Sequence, residues 1–150
     1  MAITLAQMCD AVKATLETAT GVNKAQSYNE LTEGYDDLPL LQVYPWSGET
    51  DMTALNTAQS TFRGGSRVTE TLIHADVVCR QRSHLDEDMA KVVEMQEAVQ
   101  SVLFDQHTRP YFGDGGIKGW RSRWEVVSFP RGDPQVTYLG VRFFVYLRWF

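Results

Sequence analysis

The stretch Tyr138–Phe150, YLGVRFFVYLRWF, decides the fold because it reads as a strand with one face that needs burial. Side chains alternate along a strand, so one face carries Leu139, Val141, Phe143, Val145, Leu147 and Trp149. This apolar face predicts a core strand. The other face carries Gly140, Arg142, Phe144, Tyr146, Arg148 and Phe150. That mixture of rings and arginines is too apolar for water and too charged for a core, so we expect something to cover it.

A second long strand is predicted over residues 67–81, where the same alternation is present. The side predicted to face the core carries Thr69, Thr71, Ile73, Ala75, Val77 and Cys79. We expect the opposite side to be mostly wet, and it carries Glu70, Leu72, His74, Asp76, Val78 and Arg80.

Apolar residues at helical spacing predict two helices. In the first, Thr4 and Gln7 form a capping-box pattern, and Gly21 marks the stop. In the second, Ser83 is the predicted cap, and the acidic run 86–88 suits the positive end of the helix dipole.

The elements follow one another in a simple order. They are helix 4–19, strand 38–45, loop 47–66, strand 67–81, helix 84–104, and hairpin strands 119–129 and 137–149. Pro39 and Pro45 bracket the first strand, which favours a short strand or an edge strand. A loop as long as 47–66 is typically functional. The order predicts one α+β domain over residues 1–150, with a small, mostly antiparallel four-stranded sheet, two helices packed on one face and a long central loop.

Charge is spread unevenly along the chain. The 150 residues include 14 basic and 19 acidic side chains, net −5, which argues against a general nucleic-acid binder. Residues 1–60 hold two basic and eight acidic residues, net −6, whereas residues 106–150 hold seven basic and three acidic residues, net +4. One interpretation is an acidic and a basic face through which copies of the chain attract each other. The other is chance scatter over a mixed surface.

Targeting and redox signals are weak. No apolar run is long enough to cross a membrane, and the N-terminal residues lack the pattern of a secretory signal. Cys9 and Cys79 match no metal or redox spacing, so we interpret them as reduced, mostly buried thiols of a cytoplasmic product.

Patterns of catalytic or cofactor-binding residues are also weak. The glycine-rich stretch FGDGGIKGW precedes a strand rather than a helix N-terminus that would hold phosphate. His84, Asp86 and Asp88 have the ligand types of a metal site, but HLDED at a helix start is typical of a capped turn. We therefore predict no enzyme activity, no catalytic residue, no metal site and no cofactor.

Arginines and aromatic residues are concentrated in the C-terminal hairpin. They are Trp120, Arg121, Arg123, Trp124, Arg142, Tyr146 and Arg148. Such residues stack on nucleic-acid bases, and they are also enriched at protein interfaces. The acidic net charge favours the protein interface. A third interpretation is that a loop of the same chain lies over Phe144 and Tyr146.

Several segments together carry a resemblance to a known family. They are the opening helix ITLAQMCDAVKATLE, the strand DDLPLLQVYP, the polar segment that ends in FRGG, the strand and helix TLIHADVVCRQRSHLDEDMAKVVEMQEAVQSVLF, and the closing hairpin that ends in VRFFVYLRWF. In the order, length and general residue pattern of these segments, the chain resembles the tail terminator proteins of long-tailed bacteriophages, also called tail-completion or minor tail proteins. No catalytic signature comes with this resemblance.

The resemblance implies a structural virion protein at the head-proximal end of the tail, assembled in the host cytoplasm. Copies would form a homo-oligomeric ring, expected to be a hexamer. The ring would cap the tail tube protein, end tube polymerisation and join the tail to a head-completion or connector protein. DNA would pass through the lumen without specific binding, and no membrane is involved. The alternatives are a head-completion or head–tail connector protein, a tail-tube subunit or, further off, a ligand-binding or enzymatic α+β domain.

Three groups of residues are expected to serve this architecture. The oligomer interface is expected at Arg121, Arg123, Arg142, Phe144, Tyr146 and Arg148. The loop that contacts the tube or a neighbouring subunit is expected to use Trp46, Asp51, Met52, Phe62 and Arg63. The acids that line the lumen are expected, from charge alone, to be Glu30, Glu33, Asp36 and Asp37.

Overall fold

A computed structural model of the chain describes residues 3–51, 68–106, 116–132 and 135–149. Within these ranges it contains helices α1 (Leu5–Leu16) and α2 (Leu85–Asp105) and strands β1 (Lys24–Gln26), β2 (Leu40–Asp51), β3 (Val68–Gln81), β4 (Ile117–Arg131) and β5 (Val136–Trp149). The α+β class is confirmed. The described strands form one sheet in the order β1-β2-β3-β5-β4, so β5 lies between β3 and β4.

The sheet differs from the prediction in the number of strands, and the prediction of a mostly antiparallel sheet is only roughly right. The sheet is mixed, because β1 runs parallel to β2 while the other neighbours are antiparallel. The prediction of four strands was wrong by one. The missing strand is β1, whose three residues pair with Leu40–Gln42. The sequence Lys24–Gln26 has no apolar run or alternation of its own, so its strand conformation depends on this pairing.

Strand β2 is longer than the proline pattern predicts. Its pairing with β3 continues to Asp51, across a register shift between Pro45 and Ser47. The predicted loop 47–66 is therefore wrong at its start, since residues 47–51 belong to the strand, and residues 52–66 lie outside the described residues. Beyond Gln42, β2 is the outer strand of the described sheet, which suits Pro45 because proline has no N–H to donate.

Local capping fixes where the helices begin. Thr4 is the N-cap of α1, and its hydroxyl accepts from the Gln7 backbone N–H at 3.1 Å in a complete capping box. The N-cap of α2 is His84 rather than the predicted Ser83. The buried Asp88 accepts from the Ser83 backbone N–H at 2.7 Å, so a carboxylate inside the first turn ties down the preceding chain.

The main core lies between the two helices and one face of β2, β3 and β5. All six residues predicted to face the core from β5 lie in or against this cluster, as do Ile73, Ala75, Val77 and Cys79 of β3. The helices contribute Met8, Cys9, Val12 and Leu16 from α1, and Val92, Met95, Val99 and Leu103 from α2. We call the opposite side of the sheet the outer face.

Candidate functional site

The outer face is covered at one end by a segment of the same chain. Segment 27–39 places Tyr35 edge-on against Tyr138 and Phe129, with ring centroids 4.9 and 6.2 Å apart. Below it lies a second buried cluster with Leu40 and Val78. This end of the outer face is therefore closed within the subunit by segment 27–39. The loop interpretation named Phe144 and Tyr146 instead, and the described contacts of segment 27–39 are with other rings.

At the other end, arginines of β4 cover the aromatic rings of β5. Arg123 is directly opposite Phe144 in the strand register, and its guanidinium carbon lies 3.8 Å from the ring centroid. Arg121 is opposite Tyr146 in the same way, at 3.9 Å. Stacking of this kind is weakest at exposed sites and becomes stronger where the pair is desolvated. Phe144 is only 7% exposed, so a neighbouring strand covers it without a loop.

Acidic side chains hold the two arginines in place. Arg121 Nη2 lies 3.2 Å from a carboxylate oxygen of Glu70, and Arg123 Nη1 lies 2.7 Å from one of Glu125. Both arginines remain largely exposed. The surface presented to solvent is therefore a layer of oriented guanidinium groups over aromatic rings, partly neutralised by neighbouring carboxylates.

His74 lies in the middle of the outer face, inside an aromatic cage formed by Tyr44, Trp46 and Phe144. The Trp46 ring stacks on the imidazole at 4.7 Å with an interplanar angle of 13°. Tyr44 and Phe144 meet it edge-on at 5.5 and 4.9 Å. His74 is 2% exposed, and neither ring nitrogen has a hydrogen-bond partner among the described residues. Burial, followed by the nearby Arg142 charge, lowers the pKa of His74.

Beside the cage, an ion pair connects three strands. Arg142 of β5 donates to both carboxylate oxygens of Asp76 of β3, at 2.7 and 3.2 Å. The Tyr44 hydroxyl of β2 donates to Asp76 at 2.5 Å and accepts from Arg142 at 3.3 Å. Burial, and then the Asp76 charge, raises the pKa of Tyr44. Each polar group here is satisfied by another, which a buried charge requires.

These contacts correct the expected character of β3. Its outer side was predicted to be mostly wet, yet His74, Asp76 and Val78 are buried. The reason is tertiary, because the groups that cover them come from β2, β5 and segment 27–39. The one sequence signal was an acid and a histidine at alternate positions, Asp76 and His74, facing the same way as Arg142 and Phe144.

The predicted interface residues lie on one face of the sheet, but they differ in exposure. Arg121, Arg123 and Arg148 are exposed, whereas Phe144 is buried and Arg142 is bound to Asp76. Tyr146 is partly covered by Arg121.

The residues predicted for tube contact are only partly described. Trp46 lies on the same outer face, 64% exposed, and stacks on His74. Asp51 is the last residue of β2. Met52, Phe62 and Arg63 lie outside the described residues.

The predicted lumen acids all lie on segment 27–39 and are exposed. Glu30 forms an ion pair with Lys13 of α1 at 3.0 Å, and this hydrogen bond lowers the Glu30 pKa. Glu33, Asp36 and Asp37 form no ion pair with the rest of the described chain. Asp37 has a φ of 56°, the left-handed conformation that aspartate tolerates better than most residues.

Cys9 and Cys79 are free and buried. Burial raises the pKa of the Cys9 thiol to about 11 and that of Cys79 to about 12. Both thiols are therefore protonated, and poor nucleophiles, at neutral pH.

The described part of the chain brings no three His, Cys, Asp or Glu side chains into a group that would hold a metal ion. Within the same ranges, neither helix is long and apolar enough to cross a membrane. Comparison of the chain with protein-family models and with curated proteins finds no match.

Proposed function

We propose that the chain is a structural virion protein that forms a ring on the phage tail tube, ends tube polymerisation and joins the tail to the head connector. The observation that carries this proposal is strand β4. It is an edge strand that exposes arginines on one side and apolar residues on the other. The resemblance of the sequence to tail terminator proteins is the reason for proposing a ring, and β4 provides a surface for contact between subunits.

Strand β4 has 15 residues and pairs on one side with β5, while its other side has no partner strand among the described residues. On its helix side, Trp124 is 47% exposed and Val126 is 43% exposed. A long edge strand with exposed apolar side chains favours association, because its free N–H and C=O groups can form hydrogen bonds with a strand of another chain. Tryptophan and arginine are also the residues that contribute most at protein interfaces.

A ring needs two different surfaces on each subunit, because each contact is heterologous. The described sheet offers a second free edge along β2, beyond Gln42. The acids of segment 27–39 offer a surface of opposite charge to β4. Glu33, Asp36 and Asp37 are exposed and without ion pairs in the described chain, so they are free to repel DNA phosphate in a lumen. Contact with the tube protein and the head-completion protein is part of the same proposal.

Native mass spectrometry and negative-stain microscopy of the purified protein test the proposal together. The expected result is a closed ring of defined subunit number, with a hexamer as the expected size. A protein that stays monomeric at high concentration and does not bind the ends of tail tubes would contradict the proposal.

A matched pair of variants tests whether β4 is the contact. Val126→Ser should lower the fraction of assembled protein, whereas Val93→Ser on α2 should not. Val93 is exposed to a similar extent, 49%, but lies on a helix away from the sheet edge. Equal effects of the two substitutions would remove β4 from the interface.

A tube subunit is the second candidate, and the two free sheet edges favour it. A heterologous contact whose rotation does not close produces an open filament rather than a ring. Long tubes in the micrographs would support this candidate against the terminator. A head-completion or connector protein would also form a ring, but it would bind the head connector and not the tube end.

A further inference from the structure

We propose that His74 fastens residues 43–51 of β2, which we call the outer part of β2, to the sheet when its imidazole is neutral, and that acid releases them. We call this contact the latch. In its neutral form the imidazole packs inside the cage of Tyr44, Trp46 and Phe144. In its protonated form it leaves the cage and releases Trp46 and the strand edge around it. This inference does not depend on the proposed assembly.

The outer part of β2, residues 43–51, is held by one backbone ladder, with β3, and by side-chain contacts on the outer face. Strand β1 covers β2 only at Leu40–Gln42, so within the described chain residues 43–51 have a sheet partner on one side alone. The ladder with β3 is also interrupted at Trp46, between Pro45 and Ser47. Two contacts on the outer face fasten this region, namely Tyr44 on Asp76 and Trp46 on His74.

The cage suits a neutral imidazole and not an imidazolium. Both ring nitrogens of His74 are buried without a hydrogen-bond partner among the described residues, and an imidazolium has two N–H groups that need acceptors. Three aromatic rings surround the imidazole at centroid distances of 4.7 to 5.5 Å. The protonated His74 ring is attracted to the face of Trp46. Water can hydrate its two N–H groups, however, only after the ring moves out from beneath Trp46.

The charged groups around the cage add to this cost. Arg142 of β5 and Arg123 of β4 both raise the energy of a positive charge on His74, and Asp76 and Glu125 lower it. Each carboxylate is already bound to one of those arginines, Asp76 to Arg142 and Glu125 to Arg123. From β2, Tyr44 presents a hydroxyl that is itself bound to Asp76 and Arg142. Protonation therefore adds a third positive charge beside two neutralised pairs.

The direction of the pH effect follows from the lowered pKa. A histidine whose pKa is lower in the folded state contributes its full stabilisation above its unfolded pKa of about 6.5. As the pH falls below that value, the open form becomes protonated first, because His74 has the higher pKa there. The equilibrium constant for the closed latch then decreases by up to about tenfold per pH unit, until the folded pKa is reached.

An NMR titration of the wild-type protein from pH 7.5 to pH 5.5 tests the latch directly. The His74 ring should titrate at lower pH than an ordinary histidine, whose pKa is about 6.5. The Trp46 indole resonance should change with the same midpoint as His74. A His74 midpoint at or above the ordinary histidine value, or a Trp46 resonance that does not follow His74, would overturn the proposal.

A substitution provides the second measurement. His74→Phe keeps an aromatic ring in the cage and removes the titration. The Trp46 resonance and the amide protection factors of residues 43–49, corrected for the intrinsic exchange rate at each pH, should then become independent of pH over this range. His84→Gln is the matched control and should leave the acid transition unchanged. Acid opening that persists in His74→Phe would contradict the latch. If that variant does not fold, the wild-type titration decides, because it needs no substitution.

Discussion

The guanidinium of Arg142 and the carboxylate of Asp76 form a two-pronged ion pair across the central strands β5 and β3, with Nε and Oδ1 2.7 Å apart. The Tyr44 hydroxyl joins it from β2. Arg142 therefore connects strands within the subunit and is a poor probe of any contact between subunits. The exposed Arg121 and Arg123 are better probes.

Removing Arg142 should destabilise the folded chain strongly. Arg142→Met leaves the Asp76 carboxylate buried without its cation, which typically costs about 3–5 kcal/mol of unfolding free energy. Arg148→Met is the control on the same strand and face, and its exposed position predicts a change within about 0.5 kcal/mol. Urea unfolding of both variants measures the difference. Equal losses would show that the pair contributes little to stability.

Phe144→Ala tests whether the outer face is packed within one subunit. The ring lies between Arg123 and His74, so its loss should cost about 3–5 kcal/mol, as for other buried aromatic residues. Trp124→Ala, at an exposed position of the adjacent strand, should cost much less. The measurement is thermal or urea unfolding at a protein concentration where the monomer dominates. A loss below about 1 kcal/mol for Phe144→Ala would mean that a neighbouring subunit is needed to pack this face.

The faces of the long strands were predictable, because alternation in β5 and β3 is a property of the sequence alone. The inward residues from Leu139 to Trp149 are found where the pattern placed them. What covers the outward residues was not predictable. His74, Asp76 and Phe144 are buried by partners from other strands. The partners of Asp76, for example, lie 32 residues away at Tyr44 and 66 residues away at Arg142. Periodicity contains no information about such pairs.

The errors at β1 and β2 have a related cause. The three residues of β1 have no strand pattern, and Ser47–Asp51 is polar. Both segments join the sheet through backbone pairing, so the pattern of their side chains did not predict them. The shift at Pro45 also breaks the alternation that would have extended β2. The sequence placed the arginines and rings of the candidate site in one hairpin, but their pairing, Arg121 on Tyr146 and Arg123 on Phe144, is known only from the structure.

Removing the positive charge of β4 should weaken assembly and leave the subunit folded. Arg121→Gln with Arg123→Gln deletes two exposed ion pairs, which contribute little to folding stability because water screens them, and two ring contacts. The expected result is a smaller assembled fraction in native mass spectrometry, with cooperative unfolding retained. Lys24→Gln with Lys91→Gln removes the same charge elsewhere and serves as the control. An unchanged assembled fraction in the arginine variant would show that these charges are only solvated.

Gly140 should not tolerate a side chain. A methyl group at this position would meet the Val77 carbonyl oxygen and lie 2.9 Å from Cε2 of Phe129. Because backbone atoms cannot move aside cheaply, Gly140→Ala should destabilise the fold by about 1–3 kcal/mol. Gly48→Ala is the control within β2, where the nearest atom would be 3.6 Å away. Equal unfolding midpoints for the two variants would show that the strands separate easily at Gly140.

The position of β5 has a consequence for how a nascent chain matures. It is the last described strand in chain order, yet it lies between β3 and β4. Until the ribosome has made residues 136–149, β4 has no neighbour in the described sheet, and one strand of the main core is missing. During this interval Trp124 and Val126 are exposed, and so are the apolar side chains of the main core against which β5 later packs. Long-range strand pairing of this kind folds slowly, so the interval that is vulnerable to wrong association lasts until β5 has been made and has paired.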